Sequence, residues 1–212
     1  MTTRPSEHTI FTVGHSTHSL DKFVNLIQQH DIAIVADVRS TPYSRHHPHF
    51  NQEKLRASLS SYSIDYVPLG KELGGRIENR SCYINGQIQY PLVARTDTFN
   101  EGLSRLKEGI KRFRVAVMCA EQEPTDCHRF LLISRALVES GVHVRHIYTD
   151  GSAQGHDVVL DRLRTKLKIT QLDLFSMNSD VSSEMIDRTY TEQANRVAFV
   201  ETDGSKPENE VQ

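Results

Sequence analysis

Apolar residues occur along the chain in two patterns, short continuous runs and helical spacings. The run at residues 10–13 predicts a strand, and the β-branched run at 32–38 predicts a strand covered on both faces. Between them, Ser19 can cap a helix whose apolar residues lie at helical spacing: Leu20, Phe23, Val24 and Ile27. Together these elements predict a βαβ unit.

The same alternation continues towards the C-terminus. Apolar spacing predicts further helices at residues 55–59, 99–110 and 130–137, and apolar runs predict strands at 64–67, 115–118 and 142–147. Strands that alternate with helices favour an α/β, Rossmann-like three-layer fold with a mostly parallel sheet. We expect a single domain of this kind over residues 1–170.

The last part of the chain is expected to differ from this domain. Residues 171–175 form a short peptide of their own, and residues 176–212 contain eight acidic and three basic side chains. This acidic tail is either disordered or contains a short helix built on Met185, Ile186, Val197 and Phe199. Since the whole chain carries a formal charge of −2, the preceding domain is mildly basic, which permits nucleic-acid binding without requiring it.

Composition narrows the class of protein. A chain of 212 residues with 37% hydrophobic content can bury the core of one ordinary domain. The apolar runs are too short to cross a bilayer and the N-terminus lacks a signal-peptide pattern, so we expect a cytoplasmic protein without membrane contact. The three cysteines do not have the spacing of a disulfide framework, which leaves them as core residues, ligands or nucleophiles.

Residues with ionisable or nucleophilic side chains follow the predicted strands. In an open parallel sheet the functional site lies beyond the carboxyl ends of the strands. Eight such residues follow four of the strands: His15 and Ser16, Asp37 and Arg39, Cys119 and Glu121, and His146 and Asp150. We therefore expect four segments of the chain to converge at one edge of the sheet.

The segment from Cys119 to Arg129 contains most of the candidate catalytic residues. Asp126 is a favourable N-cap that would set Cys127 in the first turn of the next helix, where free N–H groups and the helix dipole stabilise a thiolate or a bound anion. For both cysteines the alternative is an ordinary small core residue. The candidate catalytic residues are Cys127, His128, Glu121, Cys119 and His15.

Several pieces of the chain resemble the DUF488 family in order and spacing. They are Val13-Gly14-His15-Ser16, Asp37-Val38-Arg39, Pro42 with Ser44-Arg45, Phe50-Asn51, the glycine-rich segment ending at Arg76, Met118-Cys119-Ala120-Glu121 and Cys127-His128-Arg129. The resemblance spans residues 10–156 and implies a single α/β domain of unknown function. Cys-His-Arg also resembles the active-site tripeptide of alkylguanine-DNA alkyltransferases, but this similarity ends after three residues and the proline that precedes it there is missing.

Within these pieces we assign the candidate substrate- or anion-binding residues: Ser16, Asp37, Arg39, Ser44, Arg45, Gly74, Gly75, Arg76 and Arg129. Residues 69–76 are expected to form a loop, in which Gly70, Gly74 and Gly75 either supply positive φ angles in a turn or expose amides to a phosphate. Asp37 has an alternative role as the cap of a loop.

A zinc site is the alternative to a metal-free site. It would use Cys119, Cys127, His128 and His15, but the seven-residue gap between the two cysteines is unlike the short knuckle of common structural zinc sites. We therefore expect neither a metal nor another cofactor.

Residues 171–175 resemble the pentapeptide with which bacterial polymerases and repair proteins bind the β sliding clamp. Leu174 and Phe175 would be the apolar anchors, Leu172 a flanking contact and Gln171 a hydrogen-bonding specificity element. The alternative is a final strand or apolar patch that closes the domain. If the peptide binds the clamp, the protein works at DNA and is associated with the nucleoid.

Three functions remain open from the sequence. The first is a clamp-associated enzyme or damage-reversal protein that acts on DNA or a nucleotide through Cys127. The second is a non-catalytic adaptor that binds DNA or a nucleotide and is recruited by the clamp. The third is a small-molecule enzyme whose C-terminal match is accidental.

Overall fold

The computed structural model of the protein describes residues 8–169 and 179–201. The described residues contain eight strands: β1 (Thr9–Gly14), β2 (Ile34–Asp37), β3 (Asp65–Pro68), β4 (Tyr83–Ile84), β5 (Gln87–Ile88), β6 (Val115–Cys119), β7 (His143–Ile147) and β8 (Ala153–Gly155). Six of them form one sheet in the order β3-β2-β6-β1-β7-β8, and β4 and β5 form a separate hairpin. Every pairing in the large sheet is parallel except that of the edge strand β8 with β7.

Helices follow most of the strands. They are α1 (Leu20–Gln28), α2 (Gln52–Ser61), α3 (Gly70–Leu73), α4 (Tyr90–Val93), α5 (Asp97–Ile110), α6 (Arg135–Glu139), α7 (His156–Lys166) and α8 (Ser179–Val197). Three 3₁₀ turns are also described, at Pro48–Phe50, Arg80–Cys82 and Pro124–Asp126. A π-helical segment, Arg129–Ser134, runs directly into α6.

Two apolar cores lie on opposite faces of the sheet. Side chains of β1 and β6 alternate between them, so that Phe11 and Met118 belong to the core under α1 and α2, while Ile10 and Val117 belong to the other. The second core also contains the apolar faces of α5, the π-helical segment and α7. The expected α/β three-layer architecture with a mostly parallel sheet is confirmed.

Local capping explains where the long helices begin. The Ser19 hydroxyl accepts a hydrogen bond from the backbone N–H of Lys22 at 3.2 Å, as its position predicted for α1. Thr96 caps α5 in the same way through the N–H of Phe99. At the other end of α6, Gly141 adopts a φ of +79°, the left-handed conformation that glycine supplies after a helix.

Two predicted details of local structure are wrong. The segment at residues 69–76, expected to be a loop, begins with the single turn α3. Asp126 ends a 3₁₀ turn and is not the N-cap of the next helix, because Cys127 has the extended conformation of a cap and its carbonyl accepts from Phe130 and Leu131.

The C-terminal segment contains α8, which packs against the domain. Thr189, Tyr190 and Gln193 are buried, and Gln193 donates from its amide nitrogen to the carbonyl of Thr125 and the carboxylate of Asp126. Of the two alternatives for the tail, the structure therefore has a helix over residues 179–197. Residues 171–175 lie outside the described part of the chain. None of the described helices has the length and apolar character needed to cross a membrane.

Candidate active site

Three loops at the carboxyl edge of the sheet are joined by backbone hydrogen bonds. Beyond β1 and β6, the N–H of His15 donates to the carbonyl of Cys119 and the N–H of Ser16 to that of Ala120, both at 2.9 Å. On the other side of β6, the N–H of Val38 donates to Met118 at 3.0 Å. The parallel ladder thus continues past the strands and holds three of the four expected segments side by side, while the segment with His146 and Asp150 lies apart from them.

Two thiols and one imidazole form a compact cluster at this edge. The sulfurs of Cys119 and Cys127 each lie 3.7 Å from Nδ1 of His128, and the three side chains are buried. The thiol of Cys119 donates to Oε2 of Glu121 at 2.9 Å. Nε2 of His128 lies 3.1 Å from the carbonyl of Val38, which requires a proton on Nε2 and leaves Nδ1 directed at the sulfurs.

The two thiols differ in acidity. Burial alone raises the pKa of a thiol, yet the pKa of Cys127 lies well below its usual value. The neighbouring Cys119 lowers it, and the charges of Arg129 and His128 lower it further. Burial and the proximity of Cys127 raise the pKa of Cys119 well above its usual value. The directions of the two shifts favour the thiolate at Cys127, whose sulfur also accepts the backbone N–H of Arg129.

Cys127 lies at the start of a helix through an arrangement different from the predicted one. It is itself the capping residue, and its sulfur accepts the backbone N–H of Arg129 at 3.4 Å. The cap position provides the free N–H group that a thiolate needs.

Arg129, expected among the anion-binding residues, braces a loop of the site and places its charge near the thiols. Its side chain is fully buried, and its guanidinium donates to the carbonyls of Glu121 at 2.6 Å and Gln122 at 3.0 Å. Nε of Arg129 has no partner in the described residues. The guanidinium thus fixes the loop after β6 and places a buried positive charge next to the thiols.

Asp37 and Arg39 form a buried ion pair behind the cluster. Nη2 of Arg39 lies 2.6 Å from Oδ2 of Asp37, and Nε contacts both carboxylate oxygens. The hydroxyl of Tyr66 donates to the same carboxylate at 2.6 Å. Arg39 also donates to the carbonyl of Phe50, so most of its hydrogen-bonding capacity is used within the protein.

His15 belongs to this ion-pair group and not to the thiol cluster. Its Nδ1 lies 2.9 Å from the carbonyl of Ser16, and its Nε2 lies 3.1 Å from Nη1 of Arg39. Burial, together with the charge of Arg39, lowers the pKa of His15 to about 4. The ring is neutral near pH 7 and both nitrogens are engaged, which argues against its expected catalytic role.

The glycines of the 69–76 segment allow close contacts. The expectation of positive φ is wrong: among the described residues with positive φ, none is Gly70, Gly74 or Gly75. A Cβ on Gly70 would lie 2.0 Å from the carbonyl oxygen of Arg39, and one on Gly75 would lie 2.8 Å from Nδ1 of His128. Only glycine lets this backbone lie against the site.

A pocket of about 430 Å³ opens over the thiol cluster. Residues singled out from the sequence contribute much of its lining: Arg39, Gly75, Arg76, Cys119, Glu121, Cys127 and His128. Sequence reasoning missed the aromatic contribution from Tyr43, Tyr90 and Phe199. The guanidinium of Arg76 lies 4.4 Å above the ring of Phe199, which joins the glycine-rich segment to the C-terminal segment.

Other expected site residues lie outside this lining. Ser16 donates to Oε1 of Gln122, Ser44 organises its own loop by accepting the N–H of His47, and Arg45 is exposed. Asp150 bonds to Ser152 in the turn before β8.

His146 takes part in a buried chain of hydrogen bonds on the side of the domain that faces α8. Its Nδ1 lies 2.8 Å from the hydroxyl of Thr12, and its Nε2 lies 3.0 Å from Nδ1 of His156. Nε2 of His156 lies 2.5 Å from the hydroxyl of Tyr190. The position of Tyr190, far along the chain, gave no local signal of this contact.

The fold and the cluster together define an α/β protein with a two-thiol site at the carboxyl edge of a parallel sheet. The chain belongs to the DUF488 family, described as a domain of unknown function, which matches residues 19–136. Comparisons with curated proteins and with solved structures found no match.

Proposed function

We propose that the chain is a cysteine-dependent enzyme that acts on DNA or a nucleotide, with Cys127 as the nucleophile. The observation that carries this proposal is the position of its sulfur, which accepts the N–H of Arg129 at a helix start, lies 3.7 Å from Nδ1 of His128 and lines an open pocket. Helix starts and nearby positive groups activate thiols in this way. Glu121, bonded to Cys119, is the group placed to take up a proton.

The pocket rim supports a nucleotide or nucleic-acid substrate. Tyr43 is 64% exposed at the rim, and Arg76 is exposed on the ring of Phe199. Exposed aromatic rings stack on bases, and an arginine without an acidic partner among the described ion pairs can contact a phosphate. This combination favours a substrate with both a base and an anionic group.

Alkylation of the full-length protein by iodoacetamide, followed by peptide mass spectrometry, tests the nucleophile. Cys127 should react roughly tenfold faster than Cys82, a buried thiol that serves as internal control. Short single-stranded DNA or a nucleoside triphosphate should slow the reaction at Cys127 alone. Equal alkylation rates at the two thiols would contradict the assignment of Cys127 as the nucleophile.

Substitution then separates catalysis from binding. Cys127→Ser should retain DNA or nucleotide binding and lose transfer of an alkyl group from alkylated DNA to this sulfur, a step in which a new S–C bond replaces the bond from the alkyl carbon to the base and the base takes up a proton. A variant that behaves like the wild-type protein would instead support a non-catalytic adaptor.

We also propose that Gln171, Leu172, Leu174 and Phe175 bind the bacterial β sliding clamp. Support comes from the sequence, since the peptide matches the clamp-binding pattern at every position and is separated from the end of α7 by four residues. A fluorescent peptide spanning residues 168–178 and the whole protein should both bind purified clamp at micromolar concentration or tighter. Binding should disappear with the double change Leu174→Ala, Phe175→Ala; absence of binding by both wild-type forms would contradict the proposal.

A further inference from the structure

We propose that Cys119, Cys127 and His128 bind a Zn²⁺ ion, with the fourth coordination position open to the pocket. The inference rests on the proposed function, because it concerns the same pocket and the sulfur of Cys127. It changes the chemistry, because the nucleophile would be a zinc-bound thiolate and not a free one.

The geometry of the three donors fits a tetrahedral ion. With bonds of about 2.3 Å to sulfur and about 2.0 Å to nitrogen, two ligands of a tetrahedral zinc lie about 3.5 Å apart for S···N and about 3.8 Å apart for S···S. Both S···N distances in the structure are 3.7 Å, and all three donor atoms lie within 4.8 Å of one another. An ion at their centre therefore needs little movement of Cys119, Cys127 or His128.

The imidazole of His128 has the orientation and hydrogen bonding typical of a metal-binding histidine. Its Nε2 donates to the carbonyl of Val38, which fixes the tautomer and directs the Nδ1 lone pair at the two sulfurs. The Gly75 backbone lies against the ring, where a Cβ would be 2.8 Å from Nδ1. The absence of a side chain at residue 75 thus leaves the coordinating nitrogen accessible.

Charge and ligand type select the ion. Two thiolates and a neutral imidazole suit a soft or borderline divalent cation and do not suit Mg²⁺ or Ca²⁺. Zn²⁺ is held by both sulfurs as thiolates, and any proton still carried by a thiol is released to solvent, so one doubly charged cation and two thiolates form a neutral unit. A neutral unit is better tolerated at this depth than a lone thiolate, since both sulfurs belong to buried residues.

Three protein ligands leave one position for chemistry. His15, the fourth ligand of the sequence-based alternative, is excluded because both of its nitrogens are engaged by Ser16 and Arg39. The three ligands all line the pocket, and Glu121 lies beside Cys119 in the same lining. Catalytic zinc sites have this arrangement of three protein ligands and one water or substrate.

The folded chain also explains the unusual spacing of the cysteines. Cys119 ends β6, and the chain returns through the 3₁₀ turn Pro124–Asp126 to Cys127 at the next helix start. The seven intervening residues form a loop at the edge of the sheet, braced by Arg129 through the carbonyls of Glu121 and Gln122. A short Cys-x-x-Cys knuckle is unnecessary when the sheet itself brings the ligands together.

Metal analysis of the full chain tests the inference. Protein purified without a polyhistidine tag or chelator, and then supplied with Zn²⁺ and dialysed, should hold one equivalent by plasma mass spectrometry. Co²⁺ in place of Zn²⁺ should give thiolate-to-cobalt charge-transfer bands and the visible bands of a tetrahedral ion. Cys119→Ser, Cys127→Ser and His128→Gln should each reduce occupancy at least tenfold, whereas Cys82→Ser should not.

Each outcome bears on the inference, even if a variant folds poorly. Circular dichroism reports folding of the variants, and the cobalt spectrum of the wild-type protein decides independently of them. A folded wild-type protein without bound zinc or cobalt bands would overturn the inference, as would full occupancy in the Cys119→Ser, Cys127→Ser double variant. If Cys127 is alkylated rapidly but no metal binds, the zinc inference is wrong and the proposed function is unaffected. If metal binds but Cys127 is unreactive, the zinc inference holds and the role of Cys127 as nucleophile is contradicted.

Discussion

The buried histidine chain makes the stability of this protein sensitive to acid. His156 is 4% exposed, with Nδ1 facing His146 and Nε2 facing the hydroxyl of Tyr190. Burial lowers the pKa of His156 to about 4, from an ordinary value of 6.5. Burial separates the ring from bulk water, and among the described residues no carboxylate forms a hydrogen bond with it, so protonation of His156 is unfavourable in the folded state.

The sign and size of the effect follow from this difference. Between pH 6.5 and about 4 the unfolded chain binds a proton at His156 that the folded chain does not. The contribution to stability is therefore fully present above pH 6.5 and is lost as the pH falls through this window. At about 1.36 kcal/mol per pKa unit, lowering the pH from 7 to 5 removes about 2 kcal/mol through His156 alone.

Urea denaturation of wild type and His156→Gln at pH 7, 6 and 5 measures this contribution. The variant should be less stable at pH 7 by about 1–3 kcal/mol, because His146 and Tyr190 lose a hydrogen-bond partner. From pH 7 to 5 it should lose about 2 kcal/mol less than wild type. His46→Gln, which removes an exposed histidine, should follow wild type. Parallel pH curves for wild type and His156→Gln would refute the reasoning.

Two further substitutions test the frame of the site. Asp37→Asn should lower the free energy of unfolding by about 3–5 kcal/mol in urea titrations, because it leaves the guanidinium of Arg39 buried without its carboxylate; an unchanged midpoint would contradict the structural role of the pair. Gly75→Ala should displace the ring of His128 and reduce zinc occupancy and Cys127 alkylation severalfold, whereas Gly109→Ala, whose Cβ meets only Val115 at 3.7 Å, should change neither. Normal occupancy in Gly75→Ala would show that the ring tolerates the contact.

The strands and long helices were predictable because their signals are local. The runs that became β1, β2 and β6 are continuous and β-branched because helices cover both faces, and Ser19 caps α1 through its own neighbours. The rule that sites lie at the carboxyl ends of parallel strands then brought Cys119 and Arg39 to the correct edge of the sheet.

Side-chain roles within the site were less predictable, because they depend on partners distant in the chain. Nothing near Arg129 in sequence shows that its guanidinium turns back to the carbonyls of Glu121 and Gln122. Likewise, the sequence suggested that the glycines supply positive φ angles. Gly75 is instead required because its backbone contacts His128, which lies 53 positions later in the chain. Close approach between separate segments leaves no periodic pattern to detect.

The C-terminal segment contributes to the candidate site. Gln193 of α8 holds the 3₁₀ turn immediately before Cys127, and Phe199 beyond α8 lines the pocket under Arg76. In sequence, the proposed clamp-binding peptide lies between α7 and α8. The family match ends at residue 136, before these elements begin. Substrate and metal binding should therefore be measured on the full chain, since a fragment bounded by the family match lacks part of the site.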